Sequence, residues 1–197
     1  MPTSEVAGIL LAAGTSTRMG RNKILLVLDG ETLLRRAVRR AAAGGLAPLV
    51  VVVGAFAESA AVELEDLPCE VTVNPFYASG IASSIRAGLT SLPPSTSAAM
   101  VLLADMPLVT ADMIAAMIAC YERTRAVLVA SDYDGVNAPP MLYDRRLFAE
   151  LEATTGEHCA RQVVKSHLHE AELLHWPAAA LADVDVPDDY ARMTHAS

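Results

Sequence analysis

The sequence predicts an α/β fold: a single-domain, three-layer α/β/α sandwich over residues 1–197, built on a mostly parallel sheet. Two observations carry this reading. Val6 to Ala13, Pro48 to Val53 and Ala98 to Ala104 are apolar runs without polar alternation, which is how strands covered on both faces read. Between them lie segments with apolar residues at helical spacing, in the order β-α-β-α-β-α-β-α-β. Right-handed crossovers turn that order into a parallel sheet flanked by helices. The 197 residues suffice for a proper core, and at 53% apolar but only 5% aromatic it is a core of Ala, Val, Leu, Ile and Met.

The first strand, Val6 to Ala13, stops at Gly14. A small, polar, positively charged loop runs to Lys23, and apolar structure resumes at Ile24 to Leu28. Glu31 to Ala43 is a helix, apolar at Leu33, Leu34, Ala37, Val38 and Ala41, and Gly44-Gly45 ends it. The strand Pro48 to Val53, a helix over Ala57 to Asp66 and a short strand over Glu70 to Val73 follow, the last broken by Asn74-Pro75. Phe76 to Gly80 is a loop into the helix Ile81 to Leu92. Pro93 to Ser97 turns at the surface, and the buried strand Ala98 to Ala104 ends on Asp105-Met-Pro107. The helix Ala111 to Arg123 gathers Met113, Ile114, Met117, Ile118 and Tyr121 on one face, and Ala126 to Ala130 is a further strand. Beyond Ser131 the regularity weakens. Asp132 to Pro140 reads as a long loop, Met141 to Tyr143 as a short strand, and Asp144 to Glu152 and His158 to Ser166 as helices joined at Gly156. Glu172 to His175 and Ala182 to Val186 are short extended pieces. Pro187 opens a last helix, with proline and acids where a first turn favours them.

A net charge of −8 and a pI of about 5.0 argue against a nucleic-acid or anionic-membrane surface. No apolar run approaches the ~20 residues of a membrane span, and Met1 to Glu5 has no basic signal-peptide region. Cys69, Cys120 and Cys159 are far apart with no CxxC pair, which fits a reducing compartment and argues against structural zinc. The expectation is a cytoplasmic protein.

The loop after the first strand is the candidate active site. Gly allows close backbone approach, successive N–H groups can cradle an anion, and Arg18 and Lys23 supply charge on an acidic chain. It is not a Walker A motif, since five residues separate Gly14 from Gly20 and Lys23 is not adjacent to the second glycine; a GxGxxG is also absent. Composition leaves a triphosphate loop and a solvated turn both open. Asp105 ends a buried strand, and ligands of open parallel sheets bind beyond the strands' carboxyl ends, so it should share a rim with that loop. A carboxylate there is either a natural Mg²⁺ ligand beside phosphates or a turn former. Asp183 and Asp185 alternate onto one side of a short strand, where one could complete a metal site; spacing does not choose between them. The Gly and Ser residues from Ser79 to Gly88 open a helix and can meet a ribose or base, with Arg86 either reaching a phosphate or lying on the surface. The five histidines crowd the C-terminal part without metal-ligand spacing.

Leu11-Ala-Ala-Gly-Thr-Ser-Thr-Arg-Met-Gly-Arg-Asn-Lys23 closely resembles the LAAGxSxRMGxxK signature of MobA-like nucleotidyltransferases. Asn74-Pro75, Gly80 to Gly88, Asp105-Met-Pro107 and Asp183 to Tyr190 fall in order where that family keeps its other motifs. The nearest branch resembles the molybdenum cofactor cytidylyltransferases. The resemblance implies a Rossmann-like sheet of the nucleotide-diphospho-sugar transferase type. It also implies a Mg²⁺-dependent enzyme joining CMP from CTP to the phosphate of molybdopterin, with a molybdoenzyme as a further partner. GTP as donor, another phosphorylated acceptor, or a non-catalytic accessory protein are the alternatives. Guanylyltransferases of the family tend to carry Ala-Gly-Gly where this chain has Ala12-Ala13-Gly14, which leans toward CTP. Carried over by position, Arg18, Lys23 and Asp105 are catalytic. Leu11, Ala12, Ala13, Gly14, Gly80, Ser83 and Ser84 join Arg18 and Lys23 around the nucleotide, and Asp105 and Asp185 bind the metal. The chain departs from the family pattern at Ala104, at Ala138-Pro139-Pro140 and at Gly156 to Arg161. The last two segments lie in the half expected to hold the acceptor.

Overall fold

The computed structural model describes residues 6–14, 22–155 and 159–182. Its strands in chain order are β1 (Val6–Ala12), β2 (Val27–Leu28), β3 (Glu31–Thr32), β4 (Leu49–Val53), β5 (Glu70–Val73), β6 (Ala98–Leu103), β7 (Leu128–Tyr133), β8 (Val136–Asp144) and β9 (Glu172–Trp176). Its helices are α1 (Leu33–Ala43), α2 (Ala57–Leu64), α3 (Ile81–Ser91), α4 (Ala111–Thr124), α5 (Phe148–Ala153) and α6 (Cys159–His167). β2 and β3 pair with each other, and the other seven strands form one sheet in the order β5-β4-β1-β6-β8-β7-β9. Every neighbouring pair is parallel except the two that β8 makes.

The expected layers follow from the alternation of strand side chains. On β1, Val6, Leu10 and Ala12 join a core with Leu34 and Val38 of α1, Ala60 of α2 and Ile114 and Met117 of α4. Ala7, Ile9 and Leu11 face the other way, into a core with Ile85 and Leu89 of α3, Leu151 of α5 and Val163 of α6. Helices therefore cover both faces. The α3–β1 contact is close enough to require glycine: a Cβ on Gly88 would stand 2.4 Å from the Ile9 Cγ2.

Several boundaries differ from the sequence reading. Glu31 and Thr32 belong to β3, and the Thr32 hydroxyl accepts from the Arg35 N–H (3.3 Å) as the cap of α1. The stretch from Ile24 to Leu28 divides into a 3-10 turn over Lys23–Leu25 and β2, and residues 145–147 form a 3-10 turn before α5. The largest correction is Asp132 to Pro140, which is a β-hairpin and not a loop. Asp134 and Gly135 turn it with φ of 55° and 88°, the left-handed pair for which Asp-Gly is suited. The Gly135 N–H donates to Asp132 Oδ1 at 2.6 Å. Pro139 and Pro140 disguise the second strand, because proline cannot donate to a ladder. They sit where the β7–β8 register shifts, and their carbonyls accept from the Tyr133 and Ser131 hydroxyls (2.9 and 2.8 Å). β8 thus enters antiparallel between β6 and β7. The pieces expected from Asp183 to Val186 and after Pro187 lie outside the described residues.

Candidate active site

Leu11 of β1 lies in register with Leu103 of β6, and both strands leave the sheet on the same rim. The Ala104 N–H donates to the Leu11 carbonyl at 3.1 Å. This carries the pairing one step further, to Ala13-Gly14 on one side and Asp105 on the other. Lys23 opens the 3-10 turn behind Asn22, whose Oδ1 accepts from the Ile24 N–H at 3.3 Å. The Lys23 Nζ stands 2.5 Å from Asp105 Oδ2, with both side chains less than one-fifth exposed. Arg40 of α1 reaches under the segment after Asp105 and donates to the Pro107 and Val109 carbonyls. Burial pulls its guanidinium below the ordinary arginine range.

The opposite wall is the start of α3. Asn74, only 2% exposed, follows β5. Its Nδ2 donates to the Ser83 and Ser84 hydroxyls (2.8 and 3.0 Å), and its Oδ1 accepts from the Phe76 N–H (2.9 Å). One amide side chain thus ties the strand end to the helix start. Gly80 takes φ 104°, which favours glycine. A Cβ on Gly54, just past β4, would lie 2.7 Å from the Tyr77 Cβ and 2.8 Å from the Ala13 carbonyl. Loop, strand end and Tyr77 are therefore in contact behind the cleft.

These walls enclose a cleft of about 380 Å³. Of the expected site residues, Leu11, Ala12, Ala13, Gly14, Lys23, Gly80, Ser84 and Asp105 line it. Ser83 does not; its hydroxyl turns to the Phe76 and Gly80 carbonyls (2.9 and 2.8 Å). Arg18 and Asp185 lie outside the described residues. Ile24, Tyr77, Ala78, Ile81 and Leu103 also line the cleft and were not anticipated. Leu103, Ile24 and Ile81 stand beside the expected residues Asp105, Lys23 and Gly80 in the chain, and that adjacency is the signal that could have found them. A second cavity of about 670 Å³ adjoins the first, sharing Ile81 and Leu103.

Among the described residues, Asp105 is the acidic side chain of the cleft, and no cysteine or histidine lines it. No group of three or more His, Cys, Asp or Glu residues there could hold a metal unaided. One carboxylate in an oxygen-donor setting suits a hard cation that takes its remaining ligands from phosphates and water. The residues present therefore fit a hard divalent cation arriving with a nucleotide.

Cleft and sheet together define an open α/β protein with a ligand site beyond the carboxyl ends of its parallel strands. Comparison with known proteins narrows that class: the family model described as MobA-like NTP transferase domain matches residues 8–171. The chain belongs to that family. It is 31% identical over 200 residues to a molybdenum cofactor guanylyltransferase of Rhizobium leguminosarum bv. trifolii (strain WSM2304), covering 95% of this chain and 91% of the relative. It is 28% identical over 204 residues to the purine catabolism protein PucB of Bacillus subtilis (strain 168), covering 96% of each. The crystal structure of Rv0371c from Mycobacterium tuberculosis H37Rv matches with a TM-score of 0.87 at 25% identity, over 98% of this chain and 99% of the other. Among the described residues no helix is long and apolar enough to cross a membrane.

Proposed function

We propose that this chain is a Mg²⁺-dependent cytidylyltransferase that moves CMP from CTP to the phosphate of molybdopterin and releases pyrophosphate. Its product would then pass to a molybdoenzyme in the cytoplasm. The observation that carries the reading is the Lys23–Asp105 pair, held in one cleft with the Leu11–Gly14 strand end and the start of α3. Lys23 and Arg18 would neutralise the triphosphate. Leu11, Ala12, Ala13 and Gly14 would meet base and ribose, with Ser84 and Gly80 on the facing wall. Ser83 would act from behind, through Asn74.

Asp105, with Asp185, would hold Mg²⁺, which when bound neutralises charge on the phosphate oxygens. The neighbour Rv0371c has also been crystallised with manganese. The acceptor's phosphate dianion forms a new O–P bond at the α-phosphorus while the bond to pyrophosphate breaks. The nucleophile is already ionised, so no side chain need act as general base. Positioning and charge neutralisation are what the protein supplies.

Ala13 supports CTP, while the guanylyltransferase relative favours GTP as a second reading. Incubating the protein with molybdopterin, Mg²⁺ and either nucleotide, and measuring pyrophosphate, tests both. Faster release with CTP is expected. Release with GTP alone would transfer the assignment to GTP, and release with neither would overturn the proposal.

A further inference from the structure

The segment that carries Asp105 is suspended between two fixed ends. At one end the Ala104 N–H donates to the Leu11 carbonyl (3.1 Å). At the other, Thr110 caps α4, its hydroxyl accepting from the Met113 N–H (3.2 Å). Between these ends the segment's own backbone bonds are long: the Met106 N–H reaches the Leu103 carbonyl at 3.5 Å, and the Val109 N–H reaches the Met106 carbonyl at 3.3 Å. Pro107 has no N–H to add. A stronger tie comes from outside. Arg40 Nη1 donates to the carbonyls of both Pro107 and Val109, 67 and 69 positions away in the chain, the second at 2.9 Å. Hydrogen bonds from an ionised donor are the stronger kind.

Arg40 stands on a helix that also holds the other half of the Lys23–Asp105 pair. The Leu33 N–H at the start of α1 donates to the Leu26 carbonyl (2.9 Å), and the Leu26 N–H donates to the Lys23 carbonyl (3.1 Å). α1 is itself firmly seated. Leu34, Val38 and Ala41 are fully buried, and a Cβ on Gly44 at its end would stand 2.7 Å from the Ile114 Cβ and 3.0 Å from the Ala111 carbonyl of α4. The space left between α1 and the Met106–Val109 turn is about 10 Å³, room for about one water, so the guanidinium has little freedom to move. Its placement works against its charge: burial first, and then the like charge of Arg36 one helical turn away, pull Arg40 below the ordinary arginine range.

We propose that Arg40 is a positioning residue for nucleotidyl transfer: from the last turn of α1 it fixes the segment that carries Asp105, and so sets that carboxylate against Lys23. The role rests on the nucleotidyl-transfer reading, in which Asp105 meets a divalent cation. Arg40 is not among the residues that line the cleft. Its loss therefore loosens Asp105 while the Leu11–Gly14 wall stays in place, and the cation is affected before the nucleotide.

Manganese titration of the CTP-loaded protein, read from the electron paramagnetic resonance of free Mn²⁺, tests this beside steady-state kinetics of pyrophosphate release. Arg40→Met keeps the aliphatic stem and removes the donors. It should weaken Mn²⁺ binding roughly tenfold, the scale of losing a group that orients a metal ligand, and lower kcat by about tenfold or more. The CTP KM at saturating Mg²⁺ should stay close to the wild-type value. Arg40→Gln keeps an uncharged donor and carries the test if Arg40→Met does not fold; it should show a smaller loss in the same direction. Arg36→Met is the control. Arg36 donates to the Leu28 carbonyl and to Asp29 Oδ2, both at 2.7 Å, on the Lys23 side of the cleft, and its loss should leave Mn²⁺ affinity as in wild type. Wild-type Mn²⁺ affinity and kcat in a folded Arg40 variant, whatever its Tm, or an equal Mn²⁺ loss in Arg36→Met, would overturn the proposal. Wild-type protein that takes up no Mn²⁺ with CTP would instead overturn the nucleotidyl-transfer reading, and the proposal with it.

Discussion

The Lys23 ammonium and the Asp105 carboxylate meet at 2.5 Å, although 82 positions separate them in the chain. Each answers the other's charge in a partly enclosed cleft, so truncating either takes a close opposite charge away from its partner. Asp105→Asn and Lys23→Met are each expected to lower kcat/KM for nucleotide by about 10²–10³-fold, the scale of removing one preorganised electrostatic contact. Circular dichroism should show the fold retained. The double variant should fall little further than the worse single variant, because groups acting as a unit are not additive. Wild-type pyrophosphate release by Asp105→Asn would overturn the proposed role of Asp105 as a metal ligand.

Gly54 offers a test that touches no charged group. An added Cβ would meet the Tyr77 Cβ at 2.7 Å and the Ala13 carbonyl at 2.8 Å. The carbonyl is backbone and cannot swing aside, so relief must come through Tyr77 and the strand-end loop, both cleft walls. Gly54→Ala should cost about 1–3 kcal/mol by overpacking, read as a lower Tm. It should also raise the nucleotide KM several-fold with a smaller effect on kcat. An unchanged KM would show that the cleft does not depend on this contact.

The parallel half of the molecule was legible because its strands are continuous apolar runs, and parallel strands deliver their ends to one rim. That rule alone put Asp105 beside the loop after Ala13, as the Leu11–Leu103 register shows. The antiparallel insertion was hidden by local chemistry: Pro139-Pro140 argues against a central strand, and the Asp134-Gly135 turn signal stood inside an apparent loop. Ser83 and Ser84 show a finer limit. Consecutive helical residues point about 100° apart, so one of them lines the cleft while the other turns back to the Gly80 carbonyl. Spacing could nominate the pair but not choose between them. The second cavity draws on α3, β6, β8 and α6, and no one segment of sequence announces it.

His167 closes α6 against its surroundings in a way that depends on pH. Its Nε2 lies 2.7 Å from Glu150 Oε2 on α5, and its Nδ1 2.7 Å from Glu170 Oε1 in the turn after α6. Only the doubly protonated ring can donate to both carboxylates. The hydrogen bonds it donates to Glu170 and then to Glu150 hold its pKa above the ordinary 6.5. The bond to His167 holds the Glu170 carboxyl below its ordinary 4.5, with the charges of His169 and Arg146 acting in the same direction. A raised histidine pKa gives stability that is complete below about pH 6.5 and is lost as pH rises through the folded value. The lowered Glu170 pKa acts oppositely: its contribution is present above about pH 4.5 and lost as pH falls through the folded value. The clamp is therefore strongest in the mildly acidic range and weakens on the alkaline side. Between pH 6 and pH 8.5 the wild-type Tm should fall relative to that of His167→Gln, whose neutral side chain has nothing to titrate there. Because no residue of α6 lines the first cleft, the CTP KM should stay level over the same interval. Parallel Tm profiles for the two proteins would show that the imidazolium does not hold the helix, and a CTP KM rising in step would place the titrating group in the nucleotide cleft instead.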